Sequence, residues 1–437
     1  GQRSLKPAPS AQARLSMKIR LNSTARSIIN LYSTSFMMSF GHGMIIPTIL
    51  VMPAAFGVSL GLAAQVITAH TLGKSVSPLP TGILIDRLGT RTAMILGPMI
   101  LVSGAILAVT ATNFSVLLLA LFLAGAGDSM WMSSREVAGI SLVRSEQRGR
   151  LMSGFMGISS TGMALGPALG GVLTEFVSFR AVFGVYTFLA VMVLVVALTS
   201  APSTSPNQLK RPARGVTGAE SEGFFLWRHL VEWGRLLKEI LPELRATYAV
   251  LVLVTTVMMF YRTVLQSMLP IYAASLGYSA AQVGILFSVP GIFILVMVMP
   301  AGFITDKVGR KWASVPSTAI PGLAFLALPF AHGFPSLLAI SSVIGMAQGL
   351  SLGTMATSTY DVIPENGRGR LQALRRTISE VGGISGPVMG GLVATAYYPG
   401  APFLVVGPIL LFAALLVALV AKETLVKHRQ PVAASAP

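Results

Sequence analysis

Residues 148–171 read RGRLMSGFMGISSTGMALGPALGG, and residues 368–391 read RGRLQALRRTISEVGGISGPVMGG. The two align without a gap at an offset of 220 (368 − 148 = 220), so Gly166 and Pro167 fall on Gly386 and Pro387, Gly170 and Gly171 on Gly390 and Gly391, and Arg150 on Arg370. A second pair of stretches keeps the same offset: GILIDRLGTR from Gly82 to Arg91 and GFITDKVGRK from Gly302 to Lys311, with Asp86 on Asp306. The same gapless echo in two separate places is the mark of an internal repeat, and it makes the chain two copies of one half.

Each copy is composed to cross a membrane. Of the 437 residues, 53% are hydrophobic and only 11% charged, and the mean hydropathy is +0.73; a chain of that balance belongs to the membrane class. Apolar runs of roughly 20 residues, each long enough for a ~30 Å hydrocarbon layer, recur with short polar breaks. About twelve are expected, among them 62–85 and 370–396. They divide the chain into a basic arm (1–26), a first six-span bundle (27–199), a joint (200–246), a second six-span bundle (247–421) and a tail (422–437). Within the joint, Leu226, Leu230, Trp233, Leu237, Leu241 and Leu244 recur at three- or four-residue spacing, which predicts an amphipathic helix on the membrane surface after a Pro/Ser/Gly-rich linker.

The net charge of +17 is not spread as a nucleic-acid-binding surface would be. Arg87, Arg91, Arg148, Arg150, Lys307 and Arg310 all fall in alternate connections, on the same side as the basic termini, while Arg180 sits in an opposite loop. That asymmetry predicts a multi-pass protein of the cell (inner) membrane with both termini and the joint cytoplasmic. The chain has no cysteine, hence no thiolate metal site, and no metal-ligand spacing or catalytic ordering suggests an enzyme or a cofactor. Gly73-Lys74-Ser75 matches the end of a phosphate-binding loop, but Thr68 stands at its leading glycine and no strand precedes it, so ATP is not expected as the energy source.

At these residues the chain resembles the major facilitator superfamily. Gly82, Asp86, Arg87, Gly89 and Arg91 match its loop motif between the second and third helices, and Gly302, Asp306, Lys307, Gly309, Arg310 and Lys311 repeat it. Gly157, Gly162, Gly166, Pro167, Gly170 and Gly171 look like the fifth-helix pattern of the antiporter branches, and Phe40-Gly41-His42-Gly43-Met44-Ile45-Ile46-Pro47 is similar to the first helix of drug/proton antiporters. One departure stands out: Leu121 occupies the place where that branch carries an arginine before the Gly125/Gly127 pair. The resemblance implies an all-α membrane protein of twelve helices in two pseudo-symmetric bundles, with a small-molecule site near the midplane and transport by alternating access, exchanging substrate for protons. It further implies that the Asp86 and Asp306 clusters act as conformational latches and that the Gly-Pro seams pack helices 5 and 11. A monomer is expected.

Ionisable groups inside the spans are costly in lipid and are functional candidates for that reason. Lys74 lies 12 residues before Asp86, about 18 Å of helix, with His70 one turn away. Asp128 sits in the middle of the fourth span, with Arg135 two turns on and Glu136 beside it; Arg262 shares a face with Gln266, His42 lies at comparable depth, and Glu380 follows Arg376 by a turn. At the repeat offset Asp128 falls on Gln348 and Glu380 on Ser160, so the shared architecture requires neither acid. Asp128, Glu380 and Glu136 are therefore the proton-coupling candidates, Glu136 alternatively a structural partner of Arg135. His42, His70, Lys74, Arg135, Arg262, Gln266 and Arg376 are the cavity candidates. Lys74 and Arg262 admit two readings: they neutralise Asp128 and Glu380, or they clamp an organic anion. A sensor or scaffold that moves nothing is the alternative of another class.

Overall fold

In hydrocarbon every backbone N–H and C=O must be satisfied within the chain, and helices do this residue by residue. The structure, a computed structural model, describes residues 11–142, 148–200, 240, 242–351, 354–363 and 368–423; the described residues contain helices and no strand. The first half comprises α1 (Ala11–Ile45), continued by a 3-10 turn and α2 (Met52–Phe56), then α3 (Leu60–Ala63), α4 (Gln65–Val76), α5 (Pro78–Leu88), α6 (Thr90–Thr110), α7 (Phe114–Leu142), α8 (Arg148–Phe176) and α9 (Phe179–Ser200). The second comprises α10 (Pro242–Ser275), α11 (Ala280–Phe303), α12 (Arg310–Ala327), α13 (Phe334–Ser351), α14 (Thr354–Val362), α15 (Arg368–Ala396) and α16 (Ala401–Leu419). The repeat is visible in the bounds, since Phe334–Val362 and Arg368–Ala396 are Phe114–Leu142 and Arg148–Phe176 displaced by 220. The amphipathic helix expected in the joint lies outside the described residues except for Ile240 and the residues from Pro242 on, which belong to α10.

Among the described residues, ten helical segments are long and apolar enough to cross a membrane. The remaining two of the expected spans are both present, and both depart from a uniform apolar helix for a stated reason. The 62–85 span is divided into α3, α4 and α5, with Pro78 and Pro80 at the last break, where proline withholds an N–H from the helix ladder. The 370–396 span is the continuous α15, whose first half carries Arg375, Arg376 and Glu380 and so fails on polarity. The two spans meet across the halves, α15 packing on α3 and α4.

Glycine decides how close the helices come. A side chain on Gly162, Gly166 or Gly170 of α8 would strike the backbone carbonyl of Phe36, Phe40 or Met44 of α1, three successive turns meeting three successive turns. In the second half Gly382, Gly386 and Gly390 of α15 meet α10 at Thr256, Phe260 and Met268. The second glycine of each doublet looks the other way: Gly171 touches Ala280 of α11, and Gly391 touches Gly61 of α3, in the opposite half. With no hydrophobic drive between helices in lipid, such small-residue contacts supply the dispersion energy that holds them.

Two helix pairs form the seams between the halves. Ala168 N donates to Ser288 Oγ at 2.9 Å, and Ala281 N to Glu175 Oε2 at 2.8 Å, joining α8 to α11. The Gln65 amide donates to Pro387 O at 3.5 Å, joining α4 to α15. These contacts gather toward the ends of the helices that carry the short loops near Gly57, Val177, Gly277 and Gly400. Toward the basic face α5 packs on α4, α6 and α7 of its own half, and Asp86, Arg87 and Arg91 are exposed. Among the described residues, the hydrogen bonds and glycine contacts that join the halves thus lie toward the short-loop face.

Candidate functional site

Inside the first half, α4 and α7 approach until Gly73 meets Phe122 O and Gly125 meets His70 O. That approach brings Lys74 Nζ to 3.1 Å from Asp128 Oδ2, the acid side chain 13% and the lysine 37% exposed. The His70 ring, buried, lies 4.2 Å from that of His42 on α1, centroid to centroid, and His42 Nδ1 and His70 Nε2 have no hydrogen-bond partner among the described residues. From across the seam Glu380 of α15 accepts a hydrogen bond from Ser75 Oγ at 3.2 Å. The two expected acids are therefore brought to neighbouring residues of one helix, Asp128 to Lys74 and Glu380 to Ser75. A histidine pair adjoins them one turn on.

Arg135, Glu136 and Arg376 are not part of this cluster. Arg135 is 5% exposed; its Nη1 donates to Ser35 Oγ at 2.5 Å and its guanidinium carbon lies 4.5 Å from the Phe155 ring centroid, so α1 and α8 hold it rather than Glu136. Among the described residues Glu136 forms no ion pair, and the exposed Arg376 side chain none.

Arg262 and Gln266 line a separate cavity of about 240 Å3 between α8 of the first half and α10, α11 and α13 of the second. Arg262 Nη2 donates to Ser351 Oγ at 2.6 Å, while its buried Nε has no partner among the described residues. Ser160, Ser341 and Gln348 supply the other polar edges; Met163, Leu265, Leu286, Phe287 and Ile294 supply much of the apolar wall. Tyr261, next to Arg262 in the chain, is fully buried, and its hydroxyl has no hydrogen-bond partner among the described residues.

The repeat relates the two sites. At the offset of 220, His42 falls on Arg262, His70 on Pro290, Lys74 on Ile294 and Asp128 on Gln348, while Glu380 falls on Ser160. All five second members line the cavity. One pseudo-symmetric position is filled with ionisable groups; its twin is hollow, and Arg262 is the one ionisable side chain in its lining.

Among the described residues, the two loop motifs differ in the contacts they make. Gly89 at φ +85° and Gly309 at φ +151° make one-residue links into α6 and α12 in a backbone region that favours glycine. In the second copy, Glu423 receives the N–H groups of Arg310 and Lys311 at 2.8 and 3.0 Å and so caps α12, and Arg310 Nε pairs with Asp361 Oδ2 at 3.0 Å. Lys307 Nζ lies 5.1 Å from the Phe303 ring centroid; the Asp306 side chain lies outside the description. In the first copy, among the described residues, the side chains of Asp86, Arg87 and Arg91 have no hydrogen bond or ion pair. Gly82 and Gly302 face open space.

Sequence reasoning missed Ser75, Ser341 and Tyr261. Ser75 and Ser341 are ordinary helix serines until a partner helix is placed against them, but the repeat offset, carried past the acids to His42, would have pointed to the hollow twin.

A family model for the Major Facilitator Superfamily matches residues 31–253 and again 251–436, one match per half. Multidrug resistance protein 2 of Bacillus subtilis (strain 168) is 22% identical over 392 residues, covering 88% of this chain and 93% of that protein. Quinolone resistance protein NorA of Staphylococcus aureus (strain N315) is 21% identical over 388 residues, covering 87% and 93%. The crystal structure of the peptide transporter POT in complex with sulfate superposes with a TM-score of 0.72 at 16% identity, covering 90% of this chain and 94% of that one, which shows a shared fold. Two matches of one model, a repeat that runs through the helix bounds and a two-bundle membrane fold agree: the chain belongs to the Major Facilitator Superfamily, a family of membrane transporters and not of enzymes.

Proposed function

We propose that this transporter exports a small amphipathic compound in exchange for protons, and that the Lys74–Asp128–Glu380 cluster carries the proton. The observation that supports it is the pair at 3.1 Å between Lys74 and Asp128 inside a spanning bundle, with Glu380 held one residue away by the other half. Neither acid recurs at the repeat position, so packing of the shared fold does not call for them. The relatives named for multidrug and quinolone resistance point to export.

The chemistry follows from the pairing. With Asp128 ionised and bound to Lys74, the first half carries no net charge at its centre; a proton on Asp128 frees the ammonium, which then has the ionised Glu380 within its neighbourhood as the alternative partner. Exchange of Lys74 between an acid of its own half and an acid of the other half biases the two arrangements of the bundles differently, which is what a coupled two-state carrier requires. The ionised pair is the state that has released its proton and awaits cargo. The basic face is the cytoplasmic one by the positive-inside rule, the membrane is the cell (inner) membrane, and the protein works as a monomer with both termini cytoplasmic. Asp86 is the latch of that face, open here and closed when the cavity faces the other side. Asp306 is its counterpart in the second half.

The test is purified protein in liposomes with a trapped pH dye, challenged with cationic, neutral and anionic amphiphiles under an imposed pH gradient. Substrate-dependent proton movement is expected, and Asp128→Asn and Glu380→Gln, singly and together, are expected to reduce it more than tenfold. Undiminished proton movement in the double variant removes these acids from the mechanism. Substrate flux that ignores the gradient makes the protein a facilitator.

A further inference from the structure

We propose that the cavity beside Arg262 binds an amphipathic monoanion of the arylalkanoic acid type, with the ligand's carboxylate on the guanidinium and its apolar body against Phe287, Leu286 and Ile294. This deepens the export reading above by taking the Arg262 cavity as the place where the cargo binds.

Four observations carry it. First, among the described residues no carboxylate lies within ion-pair distance of Arg262, and its Nε is buried without a partner. A guanidinium in that position leaves donor capacity unused at a free-energy cost that an oxyanion would relieve. Second, the Ser341 hydroxyl, 2% exposed and lining the same cavity, also has no partner. Third, Arg262 is the cavity's one ionisable side chain, so the local field favours an anion and repels an ammonium. Fourth, the pseudo-symmetric twin shows what is missing. Where the first half sets Asp128 opposite its own cation, the second half has Gln348. A ligand carboxylate supplies from outside the acid that the twin carries in its chain. The planar guanidinium fork suits a carboxylate better than an ammonium side chain would. The cavity of about 240 Å3 has room for one ring and a short chain. Lys74, being paired with Asp128, does not join the clamp.

Equilibrium binding to the purified full-length protein in detergent, measured by titration calorimetry with no gradient, tests this separately from proton coupling. The probes are benzoate, 3-phenylpropionate and 5-phenylpentanoate, each with its amide and with the amine of equal length. At least one acid is expected to bind ten or more times tighter than its amide, with the amine weakest. Arg262→Gln is expected to remove that preference by weakening the acid more than tenfold and the amide less than twofold; Arg262→Lys retains part of it, and Ser341→Ala weakens the acid about threefold. Retained amide binding and an unchanged melting temperature show that the variants are folded. An amine that binds best, acids no tighter than their amides, no binding by any acid of the series, or a preference that survives Arg262→Gln overturns the proposal. Acid binding with no linked proton movement would leave it standing and sink the antiport reading; proton movement driven by cationic cargo alone would do the reverse.

Discussion

Lys74 and Asp128 show why a charge in a spanning helix is informative. Either side chain alone at the centre of a bundle is an expense the fold tolerates only with a partner, and at 3.1 Å each is the other's. Removing one leaves the other uncompensated, while removing both leaves a void and no charge. We therefore expect the losses of stability in Lys74→Ala and Asp128→Ala to sum to more than the loss in the double substitution. Because Lys74 is 37% exposed, water screens part of the attraction, and the coupling should be about 1 kcal/mol rather than the ~3–5 kcal/mol of breaking a fully buried pair. Melting of the four proteins of the cycle in one detergent measures it; simple additivity would show that the pair is incidental. The sequence shows these residues at matching depth on helices 2 and 4. It does not show that Lys74 takes Asp128, because that choice depends on how α4 and α7 rotate against each other, which Gly73 and Gly125 set through contacts between segments some 50 residues apart in the chain.

At the scale of a helix, the glycines of α8 are not equivalent, and the difference gives a prediction of opposite signs. A methyl at Gly166 would meet the Phe40 carbonyl and the Gly43 backbone, which have no rotamer with which to yield. Gly157, on the same helix and in the same motif, has open space around it. Gly166→Ala should then lose about 1–3 kcal/mol through overpacking, whereas Gly157→Ala should gain up to ~1 kcal/mol from the lower backbone entropy of the unfolded chain. Thermal unfolding of the two single variants decides it, and a loss at both positions would mean that the motif serves something other than packing. The spacing alone announces a close-packed seam; which glycines face a helix of the same half, which face the other half and which face nothing requires the neighbours. The break-up of the 62–85 span into α3, α4 and α5 has a visible cause in Pro78 and Pro80. The division at Ala64 has no such marker in the chain.

For the whole molecule, the repeat makes the two-bundle architecture legible before any helix is placed, since one motif pair at one offset already implies two like halves. The state of the molecule is not written there, because both arrangements of a carrier must satisfy the same sequence. The seam between α8 and α11 joins the halves at the short-loop face: Gly171 lies against Ala280, and the Glu175 carboxylate receives the Ala281 N–H at 2.8 Å and so caps a helix of the opposite half. If the halves rock apart at this face during transport, that contact must open in every cycle. The chain has no cysteine, so Glu175→Cys with Ala281→Cys introduces the only thiols present, and a short bismaleimide joins them. Cross-linking should reduce transport more than tenfold while leaving cargo binding from the basic face within about twofold, because that face stays open. The unlinked double variant should transport within a few-fold of the parent, as the cap it loses is one exposed hydrogen bond worth about 1 kcal/mol. Transport that continues through the cross-link would mean that the short-loop face does not open, and that cargo enters and leaves by another route.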